Sequence, residues 1–194
     1  DYQYCSIYSN VDKDTLYQND IVEISYSSYS FSSIGAGSFL LNYDRDAFEF
    51  LSLEKGDYLK HDNMISMVNS SVSGSIRVDF AYSDVESIYG YQLFSVKFKT
   101  KANQEKDFNF HLEVSGLTGM DGKTKYRASD VDTKVHTIYQ MDSTLLPLMY
   151  LSSRTDWKNR KLSVTLSVEK ESHLSAADIE VKFDPSLLSY VSFV

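Results

Sequence analysis

The chain has 194 residues, 42% hydrophobic and 24% charged, with 15 Tyr and 11 Phe against a single Trp; that composition excludes a disordered segment and leaves room for one large domain or two small ones. A net charge of −8 excludes nucleic-acid binding, which needs a basic face for phosphates, and sets the chain against an anionic membrane surface. One cysteine, Cys5, rules out an internal disulfide and a zinc cluster, and no apolar run reaches the about 18 residues of a membrane helix.

From the N-terminus, Asp1 to Cys5 lack the charged and apolar stretches of a signal peptide. A first strand is expected over 3–9, with Cys5 among Tyr2, Tyr4, Ile7 and Tyr8 as a buried structural thiol. The turn Asn10–Asp14 sets Asp12 and Asp14 two apart. A strand over 20–31 follows, in which Val22, Ile24 and Tyr26 alternate with Ile21, Glu23 and Ser25. Next come strands over 36–43 and 48–54, separated by Tyr43-Asp44-Arg45-Asp46 and closed by Lys55-Gly56-Asp57. Asn69-Ser70-Ser71 is a formal glycosylation sequon, making Asn69 a candidate glycan site.

Beyond Ser73-Gly74, Ile76, Val78 and Phe80 alternate with Ser75, Arg77 and Asp79 in a strand over 74–81. A single helical turn is expected at Asp84–Ile88, capped by Asp84 and stopped by Gly90. Strands over 92–100 and 107–114 flank the turn Ala102-Asn103-Gln104, and strands over 122–127 and 132–140 follow the Asp121-Gly122 turn. Period two throughout means one face buried and one wet, as in antiparallel sheets. About nine short strands at regular spacing predict an all-β, two-sheet sandwich or jelly roll. A linker is expected over 141–146, ending at Pro147.

After the linker the pattern restarts. Sliding the chain by 140 positions lays Asp20–Glu54 over Arg160–Val194 without a gap. Val22, Ile24 and Tyr26 meet Leu162, Val164 and Leu166; Phe39, Leu41 and Tyr43 meet Ile179, Val181 and Phe183; Asp44 meets Asp184. Agreement across three strands and two turns predicts a repeat. The domains expected are therefore a complete sandwich over 1–140 and the N-terminal part of a second copy over 147–194. The second copy holds too few strands to cover its own apolar face, so further chain, a neighbouring molecule or an exchanged strand is expected to cover it.

The order of these features resembles cohesin domains, the receptor modules of cellulosome scaffoldins and related bacterial surface proteins. The residues that carry the likeness are Gln18-Asn19-Asp20-Ile21-Val22 at the entry to the second strand, then Phe39-Leu40-Leu41-Asn42-Tyr43-Asp44-Arg45. The closer form Ile179-Glu180-Val181-Lys182-Phe183-Asp184-Pro185-Ser186-Leu187-Leu188 stands in the second copy. Glu54-Lys55-Gly56-Asp57-Tyr58-Leu59, Gly74–Ala81, Leu93–Lys99 and Met120-Asp121-Gly122-Lys123 complete the series. The resemblance implies a nine-stranded flattened jelly roll without catalysis, displayed outside the cell. Where dockerin-binding members carry outward polar residues, this chain has Ala36, Gly37 and Ser38, and the second copy has Ala176 and Asp178. Ser38 and Asp178 are thus the candidate partner-binding residues, at a place that departs from the dockerin-binding pattern.

Catalytic signatures are missing from the sequence: no Gly-x-Ser-x-Gly elbow occurs, and His61, His111, His136 and His173 are scattered without partner spacing. Asp12 with Asp14 and Asp130 with Asp132 form oxygen-rich turns that could hold calcium, the one cofactor considered; ordinary turn chemistry is the alternative, since no twelve-residue loop is present. Tyr26, Tyr29, Tyr82, Tyr89 and Tyr91 are candidates for stacking on sugars or on a protein. Three functions stay open at this level: a spacer or protein-binding module of a repetitive surface protein, a carbohydrate-binding module, and a filament or surface-layer subunit completed by a neighbouring copy.

Overall fold

A computed structural model of the chain describes residues 1–83, 90–140, 149–168 and 179–192. The chain divides into two compact units, Asp1–Gln140 and Met141–Val194. The expected helical turn at Asp84–Ile88 and the linker at 141–146 lie outside the described residues.

The first unit is a sandwich of two sheets. Its strands are β1 (Tyr2–Cys5), β2 (Tyr8–Val11), β3 (Thr15–Leu16), β4 (Ile21–Ser27), β5 (Ile34–Asn42), β6 (Phe48–Lys55), β7 (Met64–Asn69), β8 (Ser75–Tyr82), β9 (Gln92–Thr100), β10 (Lys106–Gly119), β11 (Lys125–Ala128) and β12 (Val131–Thr137). The small sheet runs β2-β4-β9-β6, and the large one β1-β11-β10-β5-β8-β7, with β12 joining β10 to β3. Inward residues of both sheets interleave in one core: Phe39 of β5 meets Phe94 of β9 at 5.5 Å, and Phe110 of β10 meets Phe98 of β9 at 4.9 Å and Phe48 of β6 at 4.8 Å.

Where the observed strands depart from the expected ones, the cause is local. The strand expected over 3–9 divides at Ser6, because β1 pairs in parallel with β11 in the large sheet while β2 pairs with β4 in the small one. The strand expected over 20–31 ends at Ser27; Ser28 then donates its hydroxyl to the Ser6 carbonyl at 2.6 Å and its N–H to the Tyr91 carbonyl at 2.8 Å. Those bonds turn the chain so that Phe31 is buried. β7 had no counterpart among the expected strands: Met64, Ser66 and Val68 face inward and Ile65, Met67 and Asn69 outward, so apolar side chains on both faces mask the period of two. β10 carries a bulge between Ser115 and Thr118, where Gly116 adopts a left-handed φ of 67°.

In the second unit, β13 (Met149–Asp156) and β14 (Lys161–Val168) form an antiparallel hairpin in continuous register from Met149↔Val168 to Asp156↔Lys161. The residues that close it, Trp157 to Arg160, are held by Asp156, whose Oδ1 accepts the N–H of Lys158 and Asn159. Further on, the Asp184 carbonyl accepts Leu187 N–H at 3.1 Å and Leu188 N–H at 3.0 Å, while its Oδ1 accepts Ser186 N–H. In the first unit the Asp44 carbonyl accepts Ala47 and Phe48 N–H, and its Oδ1 accepts Asp46 N–H. Both aspartates cap the same turn with the same three donors, 140 positions apart. Val22, Ile24 and Tyr26 are fully buried in the first unit, whereas Leu162, Val164 and Leu166 are exposed.

Candidate functional site

Four strands of the large sheet present a continuous outer face, and their register lays it out in rows. Ile65, Ala81, Ala36 and Thr118 make one row; Met67, Asp79, Ser38 and Ser115 the next; Asn69, Arg77, Leu40 and Glu113 the third. The alternation that buries Ile76, Val78 and Phe80 on β8 turns Arg77 and Asp79 outward, and the same logic on β5 turns Ser38 and Leu40 out opposite Phe39 and Leu41. At the β7 edge Ile65 and Met67 are 71% and 69% exposed. A large apolar residue at that exposure on a β-strand is not required by the core beneath it.

The middle of the face is polar and ordered. Arg77 Nε donates to both Asp79 carboxylate oxygens, at 3.0 and 2.9 Å. The Arg77 guanidinium, and after it the Ser38 hydroxyl, hold the Asp79 carboxyl below the usual carboxylate range. Glu113 accepts from the Asn42 side-chain amide at 2.9 Å.

Beyond β5 the surface becomes acidic and histidine-bearing. Across the β10–β12 ladder, His111 stands opposite Asp132 and Asp107 opposite His136, each pair with Nδ1 and Oδ1 2.7 Å apart. The hydrogen bond to Asp132 raises the His111 pKa, while the Asn109 amide and then His111 lower that of Asp132.

Ser38 lies at the centre of the outer face; Asp178 lies outside the described residues. Asn69 ends β7 on the same face, exposed, with its Oδ1 accepting the Ser71 N–H at 3.0 Å and hydroxyl at 2.7 Å. Asp12 Oδ1 accepts Glu23 N–H, and Asp14 Oδ1 accepts the Thr15 hydroxyl. Asp130 accepts Val114 N–H, and Asp132 accepts from Asn109 and His111. Among the described residues no three His, Cys, Asp or Glu side chains gather in a group able to hold a metal ion. Cys5 is buried, its thiol donating to the Arg127 carbonyl, and burial pushes its pKa up to about 11.

Of the tyrosines, Tyr26 is fully buried against Phe94 and is therefore a core residue, because β4 turns it inward with Val22 and Ile24. Tyr82 is half-buried and Tyr89 lies outside the described residues. Tyr29 and Tyr91 are exposed and touch, ring centroids 5.0 Å apart, and the Tyr8 ring lies 6.2 Å from that of Tyr29. Ile65, Met67 and Tyr8 escaped sequence reasoning. The signal for the first pair was there, apolar groups two apart in a stretch already apolar on its other face.

A cohesin-domain family model matches residues 7–136. A comparison with curated proteins finds no match. Among solved structures, the cohesin module of a family 33 glycoside hydrolase from Clostridium perfringens is similar at 15% identity, with a TM-score of 0.55, covering 70% of this chain and 98% of its own. A cohesin from Clostridium acetobutylicum is similar at 18% identity with a TM-score of 0.56, covering 71% and 92%. The cohesin of a type I cohesin–dockerin complex from Clostridium thermocellum is similar at 18% identity with a TM-score of 0.52, covering 69% and 99%. At these identities the solved structures speak for the fold: an all-β jelly-roll sandwich. The family match takes in more than half of the sequence and both sheets of the first unit, and on that match the chain belongs to the cohesin family.

Proposed function

We propose that the chain is a non-catalytic, extracellular receptor module that holds a protein partner of the dockerin kind on the outer face of its large sheet. The observation that carries this reading is the four-strand face on which exposed Ile65 and Met67 stand beside the bonded Arg77–Asp79 pair and Leu40. An apolar edge beside fixed charges is what a protein interface needs, because the apolar part supplies affinity and the charges supply register. Similar cohesins have been solved in complex with dockerins. Ser38 and Ala36, the outward residues of β5 beside Asp79 and Ala81, are small, so a protruding side chain of the partner fits there. A glycan on Asn69 would stand on the same face and exclude the partner. The test is capture of dockerin-bearing proteins on the immobilised chain. Leu40→Arg and Arg77→Glu should each weaken capture about tenfold or more, and Lys97→Glu on the other sheet should not. Capture indifferent to both face variants would overturn the assignment.

The second unit we propose to be the opening part of another cohesin domain. The Asp44 and Asp184 turns support this, as does the exposure of Leu162, Val164 and Leu166 at positions whose counterparts form the first unit's core. A chimaera in which Arg160–Val194 replaces Asp20–Glu54 is expected to unfold cooperatively, at reduced stability because cores matched in pattern but not in volume repack imperfectly. A chimaera that binds hydrophobic dye and melts without cooperativity would refute the equivalence.

A further inference from the structure

We infer that Tyr8, Tyr29 and Tyr91 form a second binding site, an aromatic platform for a neutral polysaccharide. The three rings are 54%, 73% and 62% exposed; Tyr29 has its centroid 6.2 Å from that of Tyr8 and 5.0 Å from that of Tyr91, with planes tilted by 55° and 50°. None of them serves the core. Their backbones are nevertheless fixed before any ligand arrives. Tyr8 is paired with Ser27 in the β2–β4 ladder, Ser28 N–H donates to the Tyr91 carbonyl, and Ser28 and Ser30 bind each other and Ser6 on either side of Tyr29. With the backbone already fixed, only the ring torsions remain to be ordered on binding.

The surroundings decide between ligand classes. Beside the rings, the outer face of the small sheet offers Ser27, Asn10 and Gln92, neutral hydroxyl and amide groups able to donate and accept. Among the described residues, the one charged neighbour bonded to a ring residue, the Asp57 carboxylate, accepts the N–H of Tyr91 and of Gln92. Among the described residues beside the rings, Ser27, Asn10 and Gln92 bring no branched aliphatic side chain, unlike the apolar core of a protein interface. They bring no cation either, and the net charge of −8 repels acidic sugars. A pyranose has one flat C–H face and a rim of hydroxyls. It meets the rings with the first and the serine and amide groups with the second.

Tyr8 belongs to the small sheet and none of the three residues belongs to the four strands of the protein-binding face, so the two proposals stand or fall separately. The test is affinity electrophoresis of the whole chain through gels containing mixed-linkage β-glucan, xyloglucan, hydroxyethylcellulose or the α-linked glycogen, with hyaluronan as the anionic control. Retardation is expected in at least one neutral gel and not in hyaluronan. Tyr29→Ala should weaken it about tenfold, which corresponds to ~1.4 kcal/mol, Tyr8→Ala should weaken it independently, and Tyr29→Phe should retain most of it, because stacking needs the ring. As Tyr29 is exposed, thermal unfolding of these variants should match that of the parent chain. No retardation in any neutral gel, retardation in hyaluronan alone, or retardation unchanged in Tyr29→Ala would overturn the inference. So would a concentration-dependent increase in size that Tyr29→Ala abolishes, which would make the platform a seat for a second copy of the chain.

Discussion

Replacing Phe98 by alanine is expected to cost the first unit ~3–5 kcal/mol, a large share of the roughly 5–15 kcal/mol that holds a domain folded. Phe98 lies on β9, between β4 and β6 in the small sheet, opposite Val22 and Phe50. Its ring is fully buried and meets Tyr43 at 4.8 Å, Phe110 at 4.9 Å, Phe50 at 6.1 Å and Phe48 at 6.5 Å. Phe110 belongs to the large sheet and Tyr43 to the turn that leaves it, so one side chain joins both layers. Truncation removes those contacts together and leaves a void that rigid neighbours close only in part. The single tryptophan, Trp157, lies in the second unit. Urea unfolding of the first unit is therefore best followed by tyrosine near-ultraviolet circular dichroism, where the midpoint should fall with the slope unchanged. Phe98→Leu, which keeps more of the volume, should lose clearly less. A loss under about 1.5 kcal/mol for the alanine variant would mean that the ring is not at the junction of the sheets.

What the sequence made legible was whatever depends on neighbours along the chain. Alternation in 21–27, 75–82 and 131–137 reports burial directly, because a strand buried on one face and wet on the other must alternate. The Asp44 and Asp184 turns were legible for the same reason: each is built by one residue, through its carbonyl and its carboxylate, on its own next few N–H groups. Long-range pairing was not legible. Nothing local announces that the chain changes sheets at Ser6, since Cys5 and Ile7 keep the alternation while their strands join different partners. β7 was hidden by apolar groups on both faces, and those same groups, Ile65 and Met67, make its outer face a candidate interface. The tyrosine platform assembles from three separate segments, so no window of sequence holds it, although the run Ser25-Tyr26-Ser27-Ser28-Tyr29-Ser30 supplies its centre. Tyr26 in that run shows the limit of composition. It is chemically identical to Tyr29 and is buried only because β4 is still in register where it stands.

Gly56→Ala is expected to destabilise the first unit by about 3 kcal/mol, although alanine adds a single methyl and Gly56 sits in a turn. The reason is the approach of two backbones. A Cβ on Gly56 would lie 2.1 Å from the Gln92 carbonyl oxygen and 2.5 Å from the carbonyl carbon. Main chain cannot swing aside as the tip of a side chain can, so the start of β9 must move or the turn must open. Either movement strains the bonds made there: Gly56 N–H to the Leu93 carbonyl at 2.8 Å and Tyr58 N–H to the Gln92 carbonyl at 3.1 Å. Asp57 adds to the same clasp, with Oδ1 accepting Gln92 N–H at 2.8 Å and Oδ2 accepting Tyr91 N–H at 3.3 Å. Behind it Tyr58 is fully buried and donates its hydroxyl to the Ile34 carbonyl, which ties the turn to the head of β5. The Gly-Asp-Tyr sequence is thus a joint between the two sheets in which each residue type has a separate physical duty. Asp57→Ala, which leaves exposed N–H groups to water, should cost only about 1 kcal/mol. Measured side by side in urea, the order Gly56→Ala well above Asp57→Ala is the expected result. Equal losses, or a Gly56→Ala variant as stable as the parent, would show that the turn and β9 do not touch in this way.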